Sequence, residues 1–172
     1  ARMNLMALLD TIIERPRKGD EIKDDFIQSM ISRDGLSQEE RLKDLEIKDN
    51  CLALLLAGHA TTGATLTWVM KYLEENPDVK EILMEEYNKI QEKNTGLTWE
   101  DISHMPYTSK VIFETLRMEN PTPWISRGVL PNTSFGGFNI KKGWNVTIDG
   151  CGLHYDPDHF EAPTKFKPSR FD

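Results

Sequence analysis

Three groups of side chains in this sequence have types and spacings that can do chemistry. The first is a stripe of small residues. From Cys51 to Met70 no residue carries a formal charge, yet two glycines, a histidine and four threonines interrupt the apolar run. On a helix, Ala57, Gly58, Thr61, Thr62 and Thr65 fall at i, i+1, i+4, i+5 and i+8 and share one side. Small side chains there let a broad, flat object approach the backbone, and threonine hydroxyls can bond back to the carbonyl four residues earlier and loosen the helix. The second group is Glu114 with Arg117, one helical turn apart among Val111, Ile112, Phe113 and Leu116. On a surface such a pair contributes only tenths of a kcal/mol. Buried, it needs a further partner for the remaining guanidinium donors. The third is Arg170 in FKPSRF, which can offer a carboxylate such as Glu114 the bidentate geometry it prefers.

The stripe by itself admits three readings: a close helix–helix contact, a membrane span, or the wall of a cofactor site. About 20 apolar residues suffice to cross a bilayer. The threonines, glycines and histidine, and the lack of a basic flank to orient the segment, count against a span.

The elements that must position these groups are mostly helical. Leu5, Leu8, Leu9, Ile12 and Ile13 have a helical spacing over residues 3–15, which Pro16 and Gly19 are expected to end. A short helix over roughly 21–32 follows, then a charged connector, RDGLSQEERLKD. The long stripe-bearing helix is expected over 46–75, stopped at Asn76-Pro77. Pro77 opens the next helix, with Val79, Ile82, Leu83 and Ile90 on its apolar face. Thr98 reads as an N-cap with acids in the first turn, and Pro106 introduces a helix over roughly 106–119. Beyond Pro121 the texture changes, for five prolines and most of the glycines lie there. TSFGGFNIKKGWNVTID alternates around turn signals, which suggests short antiparallel strands with a Lys-Lys-Gly turn. The tail from Tyr155 is irregular, but Phe160, Phe166 and Phe171 argue that it is packed. The fold class is therefore mainly α with a small antiparallel β region.

Bulk properties exclude several functions. At 172 residues, 38% hydrophobic and 28% charged, the chain is long enough for one globular domain with a core. A net charge of −7 argues against a nucleic-acid partner, which would require a basic stripe. Cys51 and Cys151 make no disulfide framework and no zinc spacing, and are expected to be reduced, as in a cytosol-facing protein. No metal cluster and no secretory signal is legible. The chain starts inside a helical pattern and stops abruptly at Phe171-Asp172, which suggests a fragment at both ends.

The order and spacing of these groups resemble the C-terminal half of a cytochrome P450, a haem-thiolate monooxygenase. Ala57 to Thr62, AGHATT, resembles that family's central-helix motif. Glu114-Thr115-Leu116-Arg117 is similar to its ExxR helix, and Phe166 to Phe171 to its FxPxRF segment. GGFNIKKGW and HYDPDHF resemble the hairpin and post-hairpin segments of the same fold. Details such as KKGWNV and LTWEDISHMPY resemble plant enzymes that oxidise steroids, terpenoids and terpenoid hormones. On this resemblance the chain is a single partial domain over 1–172. Residues 1–45 precede the central helix, 46–75 form it, 77–120 carry the ExxR helix, and 121–172 form the hairpin region and the meander.

The resemblance implies a role for each position. Ala57, Gly58 and Thr61 would lie over the oxygen side of a haem b, with Thr61 the catalytic threonine that hydrogen-bonds dioxygen and steers protons to it. Glu114, Arg117 and Arg170 would form a buried structural triad that locks the meander to the helical core. Arg127 would hold a haem propionate, as suits guanidinium chemistry; the bland alternative is an exposed strand arginine. Pro123, Trp124 and Ile125 would line the pocket of an apolar substrate. His59 and His154 read as structural, because this family ligates iron through a thiolate. The whole enzyme would take electrons from an NADPH-dependent reductase, use O2, and sit on the cytosolic face of the endoplasmic reticulum membrane through an N-terminal anchor outside this chain.

Two departures from the family pattern stand out. Ala60 occupies the position where the family usually has Asp or Glu, which removes one carboxylate from the proton relay. The loop bearing the proximal cysteine, FxxGxRxCxG, is expected beyond Asp172, since neither Cys51 nor Cys151 has that context. These residues alone are therefore not expected to hold haem tightly or to catalyse. The rival from another class is a non-enzymatic helical protein whose small-residue stripe packs against a partner.

Overall fold

A computed structural model of the chain describes residues 2–17, 25–31, 42–92 and 96–172. By its internal contacts the chain falls into two compact units, 1–60 and 61–172. In the first unit the leucine–isoleucine spacing builds α1 (Arg2–Arg17), followed by α2 (Phe26–Ile31) and the first half of α3 (Asp44–Glu75). Leu9 and Ile13, four apart on α1, meet Met30 of α2 and Ile47 and Cys51, four apart on α3, in one buried cluster. Lys48 of α3 pairs with Asp10 of α1 at 2.6 Å along its edge. Asp25 caps α2 by accepting from the Gln28 N–H at 2.8 Å, and Glu46 accepts from the Lys43 N–H at 2.7 Å. Helix α1 continues through Pro16 to Arg17 rather than stopping before it. Gly19, residues 21–24 of the expected second helix and most of the charged connector lie outside the described residues.

The second unit carries the rest of the helices and all the strands. Helix α4 (Pro77–Gln91) starts on its expected proline, and the Asn76 side chain closes the end of α3 by donating to the Tyr72 carbonyl at 2.8 Å. Helix α5 (Trp99–Ser103) begins with a reciprocal capping box: Thr98 accepts from the Asp101 N–H and Asp101 accepts from the Thr98 N–H. Helix α6 (Pro106–Met118) has no cap residue of its own. Its first N–H groups are met from α4 instead. The Glu86 carboxylate accepts from Tyr107 N–H at 2.7 Å, Thr108 N–H at 2.8 Å and the Thr108 hydroxyl at 2.7 Å. A negative charge at a helix N-terminus is also favoured by the helix dipole.

Four strands form two antiparallel pairs. Strand β2 (Thr133–Phe135) pairs with β3 (Phe138–Ile140), and β1 (Trp124–Gly128) with β4 (Asn145–Asp149). The expected Lys-Lys-Gly turn forms, with the Trp144 N–H bonded to the Lys141 carbonyl at 3.2 Å and Gly143 at positive φ, but it does not close a paired hairpin. The tight turn is Gly136-Gly137, both at positive φ, which a two-residue hairpin loop requires. Lys141 to Gly143 instead joins β3 to β4 across two different sheets, with the Gly143 N–H bonded to the Val129 carbonyl at 2.9 Å. A one-turn helix that the sequence did not suggest, α7 (Gly150–His154), follows β4 and is capped by Asp149. The tail closes in a 3-10 turn at Pro168–Phe171.

In the full-length protein, Glu86→Ala is expected to lower unfolding free energy by roughly 1–3 kcal/mol through loss of the α6 cap, while exposed Glu85→Ala stays within about 0.5 kcal/mol. Denaturant titration of the two variants side by side checks this.

Candidate functional site

Helix α6 turns Glu114, Thr115 and Arg117 inward. Glu114 is 0% and Arg117 3% exposed, beside buried Val111, Thr115 and Met118. The i,i+3 spacing folds Arg117 side-on to the carboxylate: Nε donates to Oε2 at 2.7 Å and Nη2 to Oε1 at 3.0 Å. Arg117 Nη1 donates to the His154 carbonyl at 2.7 Å, and the His154 ring Nδ1 lies 3.1 Å from the Arg117 carbonyl. Its guanidinium also stands over the Phe160 ring at 5.2 Å and the Tyr155 ring at 5.7 Å. The tail reaches the same carboxylate, with the Lys167 N–H donating to Oε1 at 2.9 Å and Arg170 Nε at 3.4 Å.

The division of labour between the two arginines differs from the sequence expectation. Arg117, not Arg170, grips Glu114 bidentately, because one turn of the same helix already presents its fork to the carboxylate. Arg170 spends its remaining nitrogens on the tail itself, donating to the Glu161 carbonyl at 2.6 Å and more loosely to those of Ala162 and Lys165. Ala162 there adopts a left-handed backbone, φ 46°, which a residue with a Cβ tolerates only when its surroundings hold it. The Lys167 N–H was not legible as a partner, since nothing in a sequence says which backbone group a distant coil will present.

Tyr72 of α3 is a second buried junction. Its ring stacks on Phe166 at 4.5 Å, nearly parallel, and its hydroxyl donates to Glu119 at 3.1 Å. Burial, reinforced by the hydrogen bond to Glu119, pushes this phenol well above its ordinary range. A phenol with a raised folded pKa contributes stability that is complete below the unfolded value of about 10 and is lost as pH rises through the folded one. The junction is therefore intact at neutral pH. Burial likewise raises the Tyr155 phenol, whose hydroxyl donates to the Met118 carbonyl.

The small stripe runs along an unbroken α3. Ala57, Gly58, His59 and Thr62 are exposed, while Thr61 and Thr65 are half-buried. A Cβ placed on Gly58 or Gly63 would meet nothing within 4 Å. The Thr65 hydroxyl bonds back to the Thr61 carbonyl and that of Thr67 to the Gly63 carbonyl, both at 2.9 Å. A cavity of about 580 Å³ opens beside Thr61, Thr65 and Val69, with Leu83 of α4 and Val111 and Leu116 of α6 among its walls. None of its lining residues is charged, so it suits an apolar occupant.

Strand β1 carries the other site residues. Trp124 is 68% exposed and Ile125 and Arg127 are exposed, while Pro123 is half-buried just before the strand. The pleat places Ile125 and Arg127 on one face, opposite Ile148 and Val146, and Trp124 on the other. The structure thus does not bring Trp124 and Ile125 to one surface. Arg127 Nη1 donates only locally, to the Ser126 carbonyl at 2.9 Å. The cysteines lie elsewhere: Cys51 in the core of the first unit, its thiol pushed up by burial, and Cys151 half-buried in α7. Among the described residues no cluster of His, Cys, Asp or Glu is arranged to hold a metal ion.

Comparison with known proteins is consistent across sequence and structure. The family model described as Cytochrome P450 matches residues 1–172. The chain is 35% identical over 175 residues to abscisic acid 8'-hydroxylase 1 of Arabidopsis thaliana, which covers all of this chain and 36% of that protein. It is 35% identical over 154 residues to cytochrome P450 716A2 of Arabidopsis thaliana, covering 88% of this chain and 32% of that protein. A solved cyanobacterial protein, CYP120A1 with retinoic acid bound, superposes with a TM-score of 0.85 at 32% identity, covering 99% of this chain and 38% of that one. The chain thus spans between three and four tenths of the length of the relatives it matches.

Removing either member of the Glu114–Arg117 pair strands a buried charge, which costs roughly 3–5 kcal/mol. In the full-length protein, Glu114→Ala and Arg117→Ala are expected to abolish folded protein rather than merely slow turnover. Arg170→Ala is expected to be milder, because its contact with Glu114 is long and mostly replaceable. Yield of folded protein and thermal unfolding midpoints of the three variants decide the ranking.

Proposed function

The chain belongs to the cytochrome P450 family, and from that premise we propose that the protein it comes from is a haem-dependent monooxygenase inserting one oxygen atom from O2 into an apolar substrate. The observation that carries this reading is the face of α3 kept clear of bulk. Open space stands over Gly58, Ala57 and Gly58 are exposed, and Thr61 adds a hydroxyl to the same stripe.

The residues present fit a planar group bearing carboxylates in two respects. The α3 face admits a flat ring system, and the exposed guanidinium of Arg127 suits a carboxylate. They supply no iron ligand, because Cys51 is committed to a core and Cys151 to α7, so the thiolate comes from a part of the protein outside these residues. Bound haem supplies the iron chemistry that activates dioxygen. The Thr61 hydroxyl holds and delivers a proton on that side, and the Thr65 hydroxyl, bonded to the Thr61 carbonyl, helps to set the local helix geometry. Ala60 adds no carboxylate beside Thr61, so protons must come through water or another group. Glu114, Arg117 and Arg170 lock the tail to α6 and hold the frame. Of the residues read as substrate-lining, Ile125 shares the Arg127 face and lines the substrate side with Pro123 before it, whereas Trp124 lies on the opposite face of the strand.

The substrate is a terpenoid, sterol or terpenoid hormone. In support, one relative is named for abscisic acid and one solved neighbour holds retinoic acid, both isoprenoid carboxylic acids. Electrons come from NADPH through a reductase, and the full-length protein is held at the cytosolic face of the endoplasmic reticulum membrane by an N-terminal anchor.

Variants of the α3 face in the full-length enzyme test the reading. Gly58→Leu is expected to weaken carbon monoxide binding to the reduced iron by about tenfold or more while haem loading persists. Thr61→Ala is expected to keep haem and substrate binding but divert electrons to peroxide. Ala60→Asp is expected to raise product formed per NADPH consumed if a proton relay limits coupling. Normal carbon monoxide affinity in Gly58→Leu together with wild-type coupling in Thr61→Ala would mean that this face does not look onto oxygen.

A further inference from the structure

The loop that delivers β1 is held by contacts that the reaction itself does not require. Helix α6 ends at Met118, and Asn120-Pro121-Thr122-Pro123 leads directly into Trp124. Asn120 organises that loop locally. Its Oδ1 accepts from the Thr122 N–H at 2.9 Å and from the Thr122 hydroxyl at 3.2 Å, a side-chain turn of the kind that fixes backbone direction. The loop is then fastened to the far end of the sheet. The Gly150 N–H, at the first residue of α7, donates to the Pro123 carbonyl at 2.8 Å. This bond extends the pairing of β1 with β4 one step beyond Trp124 and Asp149.

The approach is close. A Cβ on residue 150 would stand 3.1 Å from the Pro123 carbonyl oxygen and 3.2 Å from Asn120 Nδ2. Gly150 has no positive φ, so the requirement is for space and not for an unusual backbone. A Cβ there requires the Pro123 carbonyl and the Asn120 amide to give by a few tenths of an ångström. Pro121 and Pro123 each fix one dihedral of the loop, so it has little freedom to absorb the push internally. The displacement passes instead into Trp124 and Ile125.

We propose that Asn120 and Gly150 form a positioning clamp that sets where the Pro123–Ile125 segment stands, and that they thereby determine which ligand shapes the site accepts. This rests on reading that segment as a wall of the substrate site. Neither residue touches the reacting atoms; Gly150 acts through Pro123 and Asn120 through Thr122. None of these contacts includes Glu114 itself, although α7, which begins at Gly150, is also held at its other end by Arg117 through the His154 carbonyl.

The test uses the full-length haem-loaded enzyme and two probes, imidazole and phenylimidazole, each titrated optically against the ferric protein. Imidazole reads the iron, while phenylimidazole also reads the wall, so the ratio of their dissociation constants isolates the wall. Gly150→Ala and Asn120→Ala are each expected to change this ratio by about threefold or more with imidazole affinity held within about twofold. Asn120→Asp, which keeps the acceptor for the Thr122 N–H, is expected to retain the wild-type ratio. Ile125→Ala serves as the control on the wall itself. If Ile125→Ala moves the ratio but Gly150→Ala and Asn120→Ala do not, the clamp is refuted and the wall stands. If all three are silent, the segment is no wall, and the proposal falls with that reading. Should Gly150→Ala yield no haem-loaded protein, the asparagine pair decides: a silent Asn120→Ala, or an Asn120→Asp as disruptive as Asn120→Ala, overturns the clamp.

Discussion

A single carboxylate without access to water organises the second unit. Glu114 is 0% exposed, and a charge in that position is tolerable only when donors replace the water it has lost. Those donors come from two places far apart in the chain. Arg117 lies one turn away on the same helix, whereas the Lys167 N–H and Arg170 lie 53 and 56 residues further on. The tail between His154 and Asp172 has little regular secondary structure of its own, and a segment of that kind cannot order itself against its conformational entropy. It is ordered here because its ends and its aromatic rings all have somewhere to go. Arg170 gathers the carbonyls of Glu161 to Lys165, Phe160 lies near both arginines, and Phe166 stacks on Tyr72.

Helix α3 meets two opposite demands along one continuous length. At its end, Tyr72 is buried and committed to Glu119 and Phe166. In its middle, Ala57, Gly58, Thr61, Thr62 and Thr65 are small, and the Thr65 and Thr67 hydroxyls are satisfied within the helix itself. Each glycine costs about 1 kcal/mol relative to alanine in a helix interior, so Gly58 and Gly63 are not there for the stability of the helix itself. By length and composition α3 would also suffice to cross a membrane. The Tyr72 junction gives its C-terminal part a place in the folded unit instead.

The two ways of starting a helix in this unit show how local and distant solutions coexist. Helix α5 is capped by neighbours in sequence, Thr98 and Asp101, and its start can be read from four letters. Helix α6 is capped by Glu86, 21 and 22 residues upstream, which couples the position of α6 to that of α4. That coupling bears on the Glu114 cluster, because α6 carries both Glu114 and Arg117.

What could be read directly from the residue order was whatever depends on near neighbours. The prolines at 77 and 106 mark the starts of α4 and α6, the Asn76-Pro77 pair marks the end of α3, and the one-turn spacing of Glu114 and Arg117 places the two on one side of a helix. Short-range rules of backbone geometry and side-chain reach decide these. The packed tail was legible too, because three phenylalanines in an irregular segment have no reason to remain in water. What the folded chain alone decided were matters of long-range choice. Strand β4 pairs with β1 across the intervening hairpin rather than with β3 across Lys141 to Gly143. Arg117 outcompetes Arg170 for the bidentate position, and the one-turn helix at Gly150 exists because Asp149 caps it and Pro123 accepts its first N–H. Each of these turns on which of several possible partners a group is brought to, and that is set by packing of elements distant in sequence, not by the identity of the residues beside it.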